Sequence, residues 1–93
     1  MQQLALVDFS HTVGATYSVD LDDEVIELTL ESAEELPPSG RAEGSFRLDF
    51  RGPTDPVLPQ AIYRFRRGDF AAEIFIVPID RSDERTLYEA IFF

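Results

Sequence analysis

Four groupings in this 93-residue chain have side chains suited to chemistry. Asp8 and His11 stand three apart with Ser10 beside them, so a single helical turn would set a carboxylate against an imidazole as the base-orienting pair of a catalytic site. No nucleophile elbow and no second histidine accompany them, and a domain this small has little room for a deep pocket. Capping or packing is therefore the favoured role of His11. Asp20-Leu21-Asp22-Asp23-Glu24 offers carboxylates to calcium, but it lacks the glycine and the distal glutamate of an EF-hand loop and runs straight into a strand. A solvated hairpin tip is the simpler reading. At Arg51-Gly52-Pro53 a guanidinium beside free turn amides would suit a carboxylate or phosphate, whereas the plainer account has Gly-Pro ending a strand while Arg51 pairs with a nearby acid. Arg47, Arg51, Arg64 and Arg66 form a polar patch if their two strands are neighbours, interleaved only with Asp49 and Ile62. Such a patch would receive the acidic first half of another copy, or would be an exposed strip neutralised by local carboxylates.

Charge sharpens that last choice. The net charge is −10, residues 1–40 hold nine acids and no base, and residues 41–93 hold nine acids against eight bases, all arginine. An acidic surface repels phosphate backbones, so direct nucleic-acid binding and docking on anionic membranes are not expected. With 44% apolar residues and no long apolar run, the chain reads as one soluble domain over residues 1–93. The start, Met1 to Asp8, lacks a basic n-region and loses its apolar character too early for a secretory leader, so a cytoplasmic location is expected. Zero cysteines and one histidine leave no thiol chemistry and no His-rich metal site, and no cofactor is expected.

The elements that would position these groups are strands. Asp8 to Gly14 reads as one helical turn capped by Asp8, with Phe9 and Val13 on one face and Gly14 as a left-handed stop. Ala15 to Leu21 alternates Tyr17, Val19 and Leu21 against polar residues, Asp22-Asp23 forms a tip, and Glu24 to Ala33 turns Ile26, Leu28 and Leu30 inward. A proline-bearing loop over 34–44 follows, then Ser45 to Arg51 with Phe46, Leu48 and Phe50 inward. Pro53, Pro56 and Pro59 recur every third residue as a stiff polyproline connector; no flanking base makes it a groove ligand. Gln60 to Arg67 places Tyr63 and Phe65 inward, Gly68-Asp69 turns, and Phe70 to Ile79 and Thr86 to Phe93 flank a charged loop. The expected fold is all-β: a six-stranded antiparallel meander forming a small barrel or sandwich, with one short N-terminal helical turn.

The last two strands are apolar on both faces. Phe70, Ala72, Ile74 and Ile76 fill one side of the first of them and Ala71, Phe75, Val77 and Ile79 the other, with only Glu73 breaking the second row. One such face covers the core; the other needs a partner. Ala71, Phe75, Val77, Tyr88 and Phe92 are the candidate anchors of that interface.

The runs Phe50-Arg51-Gly52-Pro53, Leu58-Pro59-Gln60 with Ile62-Tyr63, Phe75-Ile76-Val77-Pro78-Ile79 and Tyr88-Glu89-Ala90-Ile91-Phe92, with Phe9, Val13-Gly14 and Tyr17, carry a resemblance over most of the chain. They resemble an uncharacterised family of small bacterial single-domain proteins, a domain of unknown function. Arg66-Arg67-Gly68-Asp69 departs from the family pattern, whose turn there is longer and less basic, so the Arg stripe is a property of this member. The resemblance implies a cytoplasmic protein near phage-tail-collar-like genes and implies no activity and no cofactor.

The reading that follows is a non-enzymatic assembly or interaction domain, a homo-oligomer (dimer) or the partner of another protein. Two alternatives come from other classes. One is an acidic decoy occupying the basic groove of a nucleic-acid-binding protein. The other is a binder of a small apolar ligand held between Tyr17, Phe46, Tyr63 and Phe65.

Overall fold

A computed structural model describes residues 4–38, 40, 41 and 44–93. One helical turn, α1 (Val7–Ser10), precedes six strands: β1 (Thr16–Asp20), β2 (Val25–Glu35), β3 (Phe46–Gly52), β4 (Ala61–Arg67), β5 (Phe70–Arg81) and β6 (Thr86–Phe92). Among the described residues they close into an antiparallel barrel of order β1-β2-β3-β6-β5-β4. The pairing follows the chain within each set of three strands and is broken once, because β3 lies against β6 and not against β4. Ser39, Ala42 and Glu43 of the expected 34–44 loop, and Met1 to Gln3 of the start read for a leader, lie outside the described residues.

Closure follows from the alternation. Tyr17, Val19, Leu28, Leu30, Phe46, Leu48, Phe50, Phe65, Ile74, Ile76, Tyr88 and Ala90 all point inward and are buried. Six strands enclose a narrow space, and ring contacts fill it: Tyr17 to Phe50 at 5.9 Å, Phe50 to Phe65 at 4.9 Å, Tyr17 to Phe65 at 6.3 Å between centroids. Each end is stoppered. At one, α1 inserts Phe9 among Tyr17, Phe46, Phe70 and Phe92, and Arg41 lies over the stacked Phe46 and Phe92 rings while donating to the carbonyls of Leu4 and Gly44. At the other, Leu58 of the β3–β4 connection is buried and its amide donates to the Tyr88 hydroxyl at 2.8 Å.

Three local expectations need correction. The helical turn ends at Ser10 and leaves Val13 exposed, because the chain turns through Thr12 and Gly14 to hydrogen-bond the Leu30 carbonyl. Asp8 sits inside the turn, not at its cap, and accepts the Ala5 amide at 2.8 Å. Residues 53–59 do not form a regular extended ladder; the backbone bends at 54–56 to carry Leu58 across the barrel mouth.

The barrel has an internal two-fold relation. Adding 46 to the numbers of β1 and β2 turns all five β1–β2 pairs into β4–β5 pairs, for example Tyr17 opposite Leu28 into Tyr63 opposite Ile74, and Thr16 opposite Thr29 into Ile62 opposite Phe75. Adding 40 to β3 gives β6, and the end pairs Glu34 with Arg47 and Glu35 with Phe46 become Asp80 with Leu87 and Arg81 with Thr86. The closing ladders β1–β4 and β3–β6 map onto themselves, centred on Val19 with Phe65 and on Asp49 with Glu89. Both long strands carry a bulge, between Leu30 and Ser32 in β2 and between Pro78 and Asp80 in β5, which bends each strand so that it pairs with a different neighbour at either end.

Candidate interaction surface

Strand β5 pairs with β4 over Phe70 to Ile76 and with β6 over Val77 to Arg81. Its outward row is therefore Ala71, Glu73, Phe75, Val77 and Ile79, the last being the bulge residue. Ile62 of β4 lies directly opposite Phe75. Ile62 keeps 65% of its surface exposed and Phe75 50%; Ile79 farther along β5, Ile91 of β6 and Phe93 after it are exposed as well. Isolated exposed apolar residues are ordinary, but a cluster on one face is what marks contact surfaces.

Of the expected anchors, Phe75 is exposed on this face and Ala71 and Val77 are half-buried in it. Tyr88 and Phe92 are not. Tyr88 is fully buried with its hydroxyl on the Leu58 amide, and Phe92 turns inward to stack on Phe46 at 4.4 Å. Glu89 explains the inversion: as the one charged residue of β6 it must face water, which sends its neighbours Tyr88 and Ala90 inward and Leu87 and Ile91 outward. Ile62 and Ile91 were therefore available from the same alternation as better anchors.

The four-arginine patch does not form. In the closed barrel β3 and β4 are separated by two strands in either direction, so Arg47 and Arg51 lie on the side opposite Arg64 and Arg66. Each has carboxylates of its own. Arg47 meets Asp49 at 3.0 Å and Glu89 at 3.1 Å, so one guanidinium bridges two acids standing opposite one another across β3 and β6. Arg51 meets Glu31 at 3.5 Å. Arg66 grips Asp20 through two nitrogens, at 2.9 and 2.7 Å, with Arg64 at 3.9 Å on the same carboxylate. Those hydrogen bonds hold the Asp20 carboxyl below its ordinary value and raise the Arg66 guanidinium, as Asp49 does for Arg47. Burial pushes the Tyr63 phenol up while its hydroxyl donates to the Pro59 carbonyl at 2.7 Å.

The remaining chemical groupings do not assemble a site. Asp8 uses its carboxylate on Ala5, and His11 is exposed with no hydrogen bond to it among the described residues. At the β1–β2 tip the Leu21 amide closes on the Glu24 carbonyl at 2.9 Å and Asp20 is held by arginines; no acidic or histidine cluster suited to a metal occurs among the described residues. Gly52 is not a free turn amide: it pairs with Thr86, and a Cβ there would collide with Leu28 and press on Tyr88. Among the described residues no helix is long and apolar enough to cross a membrane.

Neither the curated proteins nor the solved structures contain a match to this chain. A sequence-family model does match, and it spans the α1 plug, all six strands and the face just described: over residues 4–92 the chain belongs to the family described as Domain of unknown function (DUF6916).

Proposed function

We propose that the protein is a non-enzymatic self-associating assembly module whose contact surface is the outer face of β4, β5 and β6, centred on Ile62 and Phe75. The observation that carries this reading is the contrast between the two halves of the barrel. The counterparts of Ile62 and Phe75 are Thr16 and Thr29, whose hydroxyls hydrogen-bond at 3.2 Å, and the counterpart of Ile91 is Arg51, paired with Glu31. The barrel thus closes equally well with polar residues at these positions, so packing does not account for the apolar ones. A typical stable interface removes about 800 Å² per partner. That is roughly one part in seven of the 5725 Å² that the chain exposes, an area one face of the barrel can supply. Hydrophobic burial provides the driving force.

The filled interior supports assembly over the capture of an apolar ligand. In its finer form the proposal makes this a bacterial, cytoplasmic accessory of a phage-tail-like structure, a placement that the identity of neighbouring genes tests.

The direct test is solution mass. The wild-type protein is expected at twice its 10.5 kDa chain mass. Phe75→Arg, at a position already half exposed, is expected to fold and to run as a single chain. A monomeric wild type, or a Phe75→Arg protein that keeps the doubled mass, overturns the proposal.

A further inference from the structure

The apolar face carries a charge pattern complementary to itself. Along the β4–β5 ladder the outward pairs are Ile62 with Phe75, Arg64 with Glu73 and Arg66 with Ala71. Arg64 and Glu73 are register partners, yet the Arg64 guanidinium turns away to Asp20, and Glu73 has no ion-pair partner among the described residues. Glu73 is exposed and lies between Ala71 and Phe75 in the outward row. A lone carboxylate set in an apolar face lowers affinity for a purely apolar partner and favours one that presents a cation at that point.

We infer, building on the self-association proposed above, that the occupant of this face is a second copy of the chain. The two copies are related by a two-fold axis that runs parallel to the strands between β4 and β5. Such an axis exchanges the two strands at the same level. Ile62 then meets Phe75 of the second copy, Arg64 meets its Glu73, and each contact occurs twice, as an isologous interface requires. Ala71, with its small side chain, lets the backbones approach beside Arg66. The first half of the barrel lacks this complementarity as well as the apolar pair: the counterparts of Arg64 and Glu73 are Ser18 and Glu27, which would set Ser against Glu. The apolar pair and the charged pair thus occur together in one half only.

Charge reversal across two separately made chains tests the geometry. Glu73→Arg alone would face Arg64 of its own kind, and Arg64→Glu alone would face Glu73, so each homodimer is expected to weaken by about tenfold or more. Mixing the two variants restores both contacts at once. The mixture is expected to form a heterodimer about tenfold tighter than either homodimer, read by native mass spectrometry or by fluorescence exchange of labelled chains. Because the two reversed side chains reside in different molecules, rescue cannot come from an ion pair within one barrel. Random mixing, or homodimers as tight as wild type, overturns this arrangement while leaving self-association through Phe75 standing. Loss of the wild-type dimer itself removes both.

Discussion

The barrel contains the same three-stranded unit twice, and the two copies differ most where they face water. On β1 and β2 the outward ladder positions are Thr16, Ser18, Asp20, Val25, Glu27 and Thr29, with Thr16 and Thr29 hydrogen-bonded to each other and Val25 the one exposed apolar residue among them; on β4 and β5 the equivalent positions hold Ile62, Arg64, Arg66, Ala71, Glu73 and Phe75. Inward positions of these two strand pairs keep their apolar character: Tyr17 corresponds to Tyr63, Leu28 to Ile74 and Leu30 to Ile76. Core positions are constrained by the fold and surface positions are not. A surface that departs from its internal counterpart therefore reports a requirement that lies outside the barrel.

The largest test of that division compares two phenylalanines. Phe50 is fully buried against Tyr17 and Phe65, and Phe50→Ala is expected to cost about 3–5 kcal/mol in chemical denaturation. Phe75→Ala, measured at a concentration low enough for single chains, is expected to change stability by no more than about 0.5 kcal/mol. Equal losses at the two sites would mean that Phe75 serves the barrel and that the contrast between the halves has been misassigned.

A smaller effect separates Tyr88 from the surface to which its sequence neighbours belong. Tyr88→Phe keeps the ring and removes only the acceptor of the Leu58 amide, leaving a buried N–H unpaired. The expected cost is about 1–3 kcal/mol, with no change in solution mass. A shift in mass without loss of stability would return Tyr88 to the contact face.

Much of this was legible in the sequence. Alternation located all six strands, the tip at Asp22-Asp23, the turn at Gly68-Asp69 and the inward rows of β1 to β5, because a half-buried strand must separate apolar from polar residues every second position. The outward direction of Ala71, Phe75 and Val77 followed from the same rule. What stayed hidden depends on contacts distant in sequence. Nothing local tells β3 to pair with β6 rather than β4, and that choice alone sends Arg47 and Arg51 away from Arg64 and Arg66. The two-fold relation is masked by size exchange: Val19 corresponds to Phe65, Phe46 to Thr86 and Phe50 to Ala90, so bulk lost in one unit is supplied by the other. It is masked also by loop length, since residues 36–45 join β2 to β3 but only 82–85 join β5 to β6. The facing of β6 was readable from Glu89, whose charge fixes the parity of the whole strand.

The smallest expected effect lies at the seam where the two units meet. Asp20 of β1 and Arg66 of β4 are counterparts under the internal two-fold, and they bind one another across the closing ladder. Arg66 hydrogen bonds hold the Asp20 carboxyl below its ordinary value, which for an unfolded aspartate is about 3.9. A carboxylate depressed in the folded state contributes stability that is fully present above that unfolded value. The contribution is lost as pH falls through the folded value, once the folded chain also takes up the proton. Comparison of wild type with Asp20→Asn should therefore show a constant stability difference from neutral pH down to about pH 5, shrinking below about pH 4. Arg66 is exposed and Asp20 half-buried but open to solvent, so salt should reduce the difference across the whole range. A difference that persists undiminished in acid would mean that Asp20 acts through packing of the β1–β4 seam rather than through its charge.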